Sequence, residues 1–165
     1  MNQLLQNLIE ALREELKEYG EMLALLDQQQ ELVMSRRTQD LLQCVTAINA
    51  QAEIIAVARN ERRQRQRCIA LFLTLPEDVT FAVLVPHLPA EYRPLLEALV
   101  QENNELLVRI QQRARQNHLL LSRIVELMQR FLGTLFPGAK PTTYDDAGQV
   151  MAVGVAPRSI YDAVG

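Results

Sequence analysis

The residues that could carry chemistry in this chain are few and widely spaced. Its candidate metal ligands are two cysteines, Cys44 and Cys68, and two histidines, His87 and His118. None of them stands at the short spacing that a metal site or a redox motif requires. No Gly-rich phosphate loop, nucleophile elbow or His-Glu-x-x-His motif occurs. We therefore expect no catalysis, metal or cofactor, and we interpret the cysteines as buried thiols and the histidines as structural residues.

A cluster of arginines could bind phosphate groups. Glutamines and Glu61 interrupt the cluster, and no aromatic residue accompanies it for base stacking. We expect a solvated helix face, near an acidic first helix, and no nucleic-acid binding. The cluster comprises Arg59, Arg62, Arg63, Arg65 and Arg67.

Composition indicates a soluble, helix-rich chain. Its 165 residues are 48% hydrophobic, 22% charged and only 5% aromatic, which is typical of long helices that bury a core. The N-terminus lacks a basic leader, and the longest apolar run, Cys68–Leu73, is too short to cross a membrane. We expect a cytoplasmic protein with reduced cysteines.

Hydrophobic periodicity predicts three long helices and one short helix. The long helices are expected over about residues 2–34, 39–73 and 94–135, and the short helix over about 76–85. These elements predict an all-α fold, an elongated antiparallel helical bundle or coiled coil. Residues 1–136 would form the helical domain, and residues 137–165 a flexible tail. The second helix is expected to face inward with Leu41, Val45, Ile48, Ala52, Ile55 and Ala58.

The last long helix carries an apolar stripe that widens towards its end. Its apolar residues stand three and four positions apart from Leu96 to Phe131, and further leucines and a valine broaden the stripe after Leu119. The broad end could pack against the first two helices, or it could form a groove for an incoming amphipathic helix. Two asparagines within the stripe, Asn103 and Asn117, could set the register of the bundle or bond a partner's backbone.

Three stretches of the sequence resemble the FlgN family. The first is a polar break before the second helix, residues 34–41, and the second is Asn117-His118-Leu119-Leu120-Leu121, which is similar to the family's Asn-x-x-Leu-Leu pattern. The third is the tail motif Tyr-x-x-x-Gly-Gln, which begins at Tyr144 and includes Gly148. Residues 151–165 extend beyond that motif.

The resemblance implies a cytoplasmic type III flagellar export chaperone. Its clients would be hook-associated proteins of the hook–filament junction, bound through their C-terminal helices and so kept from assembling early. The tail motif, through Tyr144 and Gly148, would dock at the cytoplasmic domain of the export gate. The chaperone would be a monomer or weak dimer, without membrane insertion. The client-binding residues implied are Asn117, Leu120, Leu121, Ile124, Val125, Met128, Phe131, Leu132 and Leu135.

Two other functions remain open at this point. A structural coiled-coil protein could dimerise through the same helix end and bind no client. A nucleic-acid-binding module would use the arginine cluster and is the least favoured of the three.

Overall fold

The computed structural model describes residues 1–135, 143–144 and 150–151. In chain order it contains α1 (Asn2–Met34), α2 (Thr38–Phe72), α3 (Phe81–Leu84), a 3₁₀ turn (Val85–His87) and α4 (Arg93–Leu135). A two-residue ladder follows, in which β1 (Thr143–Tyr144) runs antiparallel to β2 (Val150–Met151). The helical class and the three long helices are confirmed. The predicted flexible tail falls mostly outside the described residues.

The chain divides into two units, Met1–Leu121 and Ser122–Gly165. The first contains α1, α2, α3 and most of α4. The second begins with the last turns of α4 and includes the short β ladder. The predicted domain boundary after residue 136 stays a prediction.

In the first unit, α2 runs antiparallel to α1. Near the start of α2, the Cys44 thiol donates a hydrogen bond to the carbonyl oxygen of Leu25, at 3.4 Å. Further along α2, the Arg62 guanidinium reaches the carboxylate of Glu15, nearer the start of α1. The order of the contacts is therefore reversed between the two helices.

The part of α4 in the first unit runs parallel to α1. Asn103 donates its side-chain amide to the carbonyl oxygen of Leu12 at 3.1 Å, and Asn117 does the same to Leu26 at 2.7 Å. The later asparagine on α4 therefore bonds the later residue on α1, so the two helices run in the same direction. The arrangement is a three-helix bundle in which α2 opposes α1 and α4.

Two clusters of buried side chains fill the first unit. One joins the start of α1 to the end of α2, the short helical segment and the start of α4, and it includes Leu5, Leu8, Leu12, Ile69, Leu84, Leu88 and Leu96. The other joins the three long helices further along, and it includes Tyr19, Met22, Leu26, Cys44, Ile48, Ile55, Ile110 and Ala114. Apolar burial from all three helices therefore stabilises the unit.

The short helix begins later than predicted. The backbone N–H of Leu75 bonds back to the carbonyl oxygen of Ala70 at 2.9 Å, and Thr74 adopts a left-handed φ of 57°, which closes the end of α2. A turn follows, in which the N–H of Val79 donates to the carbonyl oxygen of Pro76. This turn occupies the first residues of the predicted helix, so α3 starts only at Phe81.

The inward face of α2 also differs at one position. Ala52 is exposed, whereas the neighbouring Gln51 is buried. Gln51 faces α1 because its side-chain amide donates to the carboxylate of Glu18 at 2.6 Å and to the backbone oxygen of the same residue at 3.1 Å.

Candidate functional site

The two cysteines occupy different environments. Cys44 is buried against α1, and this burial raises the pKa of its thiol. Cys68 is exposed, contrary to the prediction that both thiols are buried. The next two residues, Ile69 and Ala70, take the core positions on that turn of α2.

The histidines show no arrangement suited to catalysis or metal binding. The Nδ1 atom of His87 lies 2.9 Å from the carbonyl oxygen of Val83 in the preceding turn, and His118 is exposed on α4. Among the described residues, no group of three histidine, cysteine, aspartate or glutamate side chains could hold a metal ion.

The arginine cluster includes a buried network that the sequence analysis missed. The Nε atom of Arg62 lies 2.6 Å from Oε2 of Glu15, and the Tyr19 hydroxyl donates to Oε1 of the same carboxylate at 2.9 Å. Arg59 donates to the Tyr19 oxygen at 2.8 Å. Burial is the main reason that the pKa of Tyr19 is raised. The expectation of a fully solvated arginine face is therefore wrong for Arg59 and Arg62.

Two other arginines of the cluster are also paired. Arg65 bonds Glu61 one turn earlier on α2, and Arg67 bonds Glu77 in the turn before α3. These acidic partners partly neutralise the charge that a phosphate group would meet. The arrangement therefore favours a structural role for the cluster over nucleic-acid binding.

The two asparagines of α4 hold the register between α4 and α1. Asn103 and Asn117 are buried and stand fourteen residues apart, as do their acceptors, Leu12 and Leu26. Asn117 also donates to the side-chain oxygen of Gln29, at 2.9 Å. Both asparagines thus contact the bundle itself, and the structure does not place Asn117 among the exposed residues of the candidate surface.

The last turns of α4 present an exposed apolar surface. Met128 and Phe131 are each 63% exposed, and Val125, Leu127, Leu132 and Leu135 are all more than half exposed. Ile124 is partly buried. Ile124, Met128, Phe131 and Leu135 follow one another at steps of four, three and four, so they form one stripe along the helix. We call this stripe, together with the adjacent Val125 and Leu132, the terminal face of α4.

The other predicted client-binding residues lie in the first unit. Leu120 and Leu121 are partly buried, and Leu119 between them and Asn117 is 69% exposed. The side chain of Tyr144 and all of Gly148 lie outside the described residues, so their predicted docking role stays a prediction.

A second apolar surface is a groove within the first unit that the sequence did not indicate. It encloses about 720 Å³ between the α3 region and α4. Phe81, Val85 and Pro86 line one side, and Val100 and Val108 contribute apolar side chains from α4. The guanidinium of Arg62 lies 5.6 Å from the centre of the Phe81 ring and helps to hold that wall. The groove joins residues distant in sequence, so periodicity could not reveal it.

The outer side of α2 is also unexpectedly apolar. Leu42, Ile54, Val57, Leu71 and Phe72 are exposed large side chains on this helix. By length and composition alone α2 could cross a membrane, with a mean hydropathy of 1.5 over its most apolar stretch. One such helix is weak evidence, because helices of soluble bundles also meet these criteria.

Comparison with known proteins identifies the family. The model of the FlgN protein family matches residues 1–151, which include the three helices and the tail motif. No curated protein and no solved structure gave a significant match. Members of this family are flagellar export chaperones, which are soluble and not enzymes. Because the match covers most of its 165 residues, the chain belongs to the FlgN family.

Proposed function

We propose that this chain is a cytoplasmic type III export chaperone for hook-associated proteins. It binds their C-terminal helical segments, prevents those segments from assembling early and delivers them to the export gate. Membership of the FlgN family supports the general role. The single observation that carries the client-binding part is the exposed apolar stripe on the terminal face of α4.

The terminal face is suited to packing against an amphipathic helix of a partner protein. Its apolar side chains repeat at helical spacing, which matches the pattern by which one helix packs against another. Each large apolar side chain that moves from water into a contact contributes roughly 1.5–3 kcal/mol before the cost of association. Several such side chains on one stripe together offset part of the cost of association.

Arg130 and Glu126 form an ion pair on the side of α4 opposite the apolar stripe. The guanidinium of Arg130 lies 2.6 Å from the Glu126 carboxylate one turn earlier, and both groups are exposed. We expect client helices to carry apolar residues at steps of three and four, which would pack against this stripe.

The proposed client surface consists of Ile124, Val125, Met128, Phe131, Leu132 and Leu135, with Leu120 and Leu121 at its start. Asn117 supports this surface indirectly by fixing α4 on α1. The tail motif would have a separate task. Tyr144 and Gly148 would contact the cytoplasmic domain of the export gate, as the family resemblance implies.

The client surface is tested with the double substitution Met128→Glu and Leu132→Glu. Both side chains are more than half exposed, so the chain should remain helical. Two carboxylates within the stripe should weaken binding of a client's C-terminal helical segment at least a hundredfold, by roughly 3 kcal/mol or more. Calorimetric titration of that segment, with circular dichroism of the variant, measures both quantities.

Two single substitutions serve as controls. Leu119→Glu changes an equally exposed leucine on another side of α4 and should leave client affinity unchanged. Val108→Glu places a charge in the groove beside α3. Unchanged binding by the double variant would show that the client surface is misplaced, and loss of binding in Val108→Glu alone would move it to the groove. A tight dimer held through the terminal face, with no client affinity, would favour the structural coiled-coil role.

A further inference from the structure

The groove between the α3 region and α4 is an apolar surface with fixed walls. We call it the α3 groove, and it encloses about 720 Å³. Phe81, Val85 and Val100 line it and also pack in the core cluster at this end of the bundle, so the folded core holds the walls in place. Val108 lines the groove and is 50% exposed. A ligand would therefore meet a preformed apolar surface.

The α3 groove follows α4 for about three turns. Glu97, Gln101, Asn104 and Val108 line it and stand four, three and four positions apart, so they form one row along the helix. Eleven residues of α-helix span about 17 Å. A groove of this length beside a helix fits another helix of about three turns, whose side chains can enter between those of α4.

The rim of the α3 groove carries an excess of negative charge. Glu97 and Glu105 both line it and are exposed. The side-chain amide of Gln101 donates to the Glu105 carboxylate at 2.8 Å and so helps to hold this carboxylate at the groove. Within residues 1–135, neither carboxylate takes part in an ion pair.

Two arginines lie near the groove, but they do not cancel this charge. Arg109 lines the groove four residues beyond Glu105 and contributes one positive charge against two negative charges. Arg62 lies against the Phe81 ring, but its guanidinium is 2.6 Å from the Glu15 carboxylate and its side chain is only 16% exposed. The charge that a ligand would meet is therefore acidic.

We propose that the α3 groove binds an amphipathic helix of a partner protein, one that carries lysine or arginine beside its apolar stripe. The apolar stripe enters the groove, and the basic side chains contact Glu97 and Glu105. These two residues are eight positions apart, or about 12 Å along α4, so the basic residues of the partner stand seven or eight positions apart. The opposite charges select the partner and its orientation.

The contact is small. A helix of three turns buries less than about 1,200 Å², which is the class of weak, transient interfaces. The α3 groove lies within the first unit, and the proposal does not depend on client binding by the terminal face of α4. A partner of this kind can therefore bind and leave without a change in client affinity.

Two designed peptides test the charge preference with the full-length chain. The basic peptide is a helix of about eighteen residues with a leucine stripe at steps of three and four, lysines on both flanks and alanine elsewhere. In the acidic peptide, glutamate replaces every lysine. Fluorescence anisotropy of the labelled peptides should give a dissociation constant at least about tenfold lower for the basic peptide.

Charge reversal in the chain locates the contact. Glu97→Lys combined with Glu105→Lys should reverse the preference, so that the acidic peptide binds more tightly than the basic one. Glu91→Lys combined with Glu102→Lys is the matched control, because it changes the net charge equally at exposed positions outside the groove. This control should keep the preference for the basic peptide. An equal effect of the two double variants would refute the proposed site, since it would show attraction to net charge alone.

A neutral substitution tests the apolar part of the contact. Val108→Gln should raise the dissociation constant of the basic peptide about fivefold or more, because an apolar side chain no longer meets the leucine stripe. Leu119→Gln, at an exposed leucine of α4 outside the groove, should leave it unchanged. An unchanged affinity in Val108→Gln would refute binding in the groove.

The terminal face of α4 provides the last comparison. Met128→Glu combined with Leu132→Glu should leave the affinity for the basic peptide within about twofold of the wild type, because neither residue lines the α3 groove. Loss of peptide binding in this variant would place the peptide on the terminal face and overturn the proposal. Displacement of the bound basic peptide by a client's C-terminal segment would also overturn it, since the groove would then belong to the client surface.

Discussion

Buried polar side chains give this bundle its particular pairing of helices. Gln51 of α2 donates to both the carboxylate and the backbone oxygen of Glu18, and this hydrogen bond is the main cause that lowers the pKa of Glu18, followed by the bond from Lys17. Apolar burial alone would tolerate small shifts of α2 along α1. The hydrogen bonds from Gln51 to Glu18 would break if α2 shifted along α1, so they fix its position.

The lowered pKa predicts how stability depends on pH. The carboxylate of Glu18 is stabilised in the folded state, so its contribution is complete above the ordinary pKa of 4.5 and is lost as pH falls through the lower folded pKa. Gln51→Met should reduce the free energy of unfolding by about 1.5 kcal/mol at pH 7. The difference between the variant and the wild type should shrink below that ordinary pKa.

Urea denaturation of both chains at neutral and acidic pH measures this difference. Gln43→Met, at an exposed position of the same helix, is the control and should show little change at either pH. A Gln51→Met penalty that stays constant from neutral to acidic pH would mean that the bond to the charged form of Glu18 contributes nothing.

Residue roles that depend on contacts between helices could be predicted only in part from the sequence. The spacing of Asn103 and Asn117 indicated a register role, and the bonds to α1 agree with it. The same reasoning placed Arg59 and Arg62 in water, because their neighbours along α2 are polar. Their buried partner, Glu15, is more than forty positions away and becomes visible only once the antiparallel packing of α1 and α2 is known.

At the scale of elements, the network around Glu15 fastens α2 to α1. Its carboxylate contacts two guanidiniums whose side chains are only 16% and 25% exposed. Glu15→Ala would leave both guanidiniums without this partner, and it should lower the free energy of unfolding by about 2–4 kcal/mol. Glu14→Ala removes an exposed ion pair with Lys17 and should cost less than about 1 kcal/mol.

A double substitution separates the stability that the ion pair contributes from the stability that side-chain packing contributes. Arg62→Met combined with Glu15→Met replaces the closest ion pair by apolar side chains and should recover a large part of the stability lost in Glu15→Ala. Thermal or urea denaturation of the three variants provides the comparison. A double variant less stable than Glu15→Ala would show that the charged pair itself contributes net stability.

The long helices were predictable because their apolar residues recur regularly at steps of three and four. The bounds of α1 and α4 agree with the predicted bounds within a few residues, and α2 begins one residue early. The short helix begins at Phe81, later than predicted, because backbone hydrogen bonds around Thr74 and Pro76 form turns that composition does not encode. The inner face of α2 was the hardest to assign, since apolar residues occur on both of its sides and Gln51 takes a core position.

At the scale of the whole molecule, two different surfaces would carry two tasks. The terminal face of α4 would hold the client, and the tail motif would contact the export gate. The family match extends through the tail motif to residue 151.

Tyr144→Ala tests this separation of tasks. Because the client surface is proposed on α4, the substitution should change client affinity less than about twofold, whereas binding to the cytoplasmic domain of the export gate should fall at least about tenfold. Tyr161→Ala is the matched control, since Tyr161 lies in the same tail beyond the residues matched by the family model. Titrations of each variant with a client segment and with the gate domain distinguish the outcomes. Loss of client binding in Tyr144→Ala would mean that the tail takes part in holding the client, and normal gate binding would mean that the docking contact lies elsewhere in the chain.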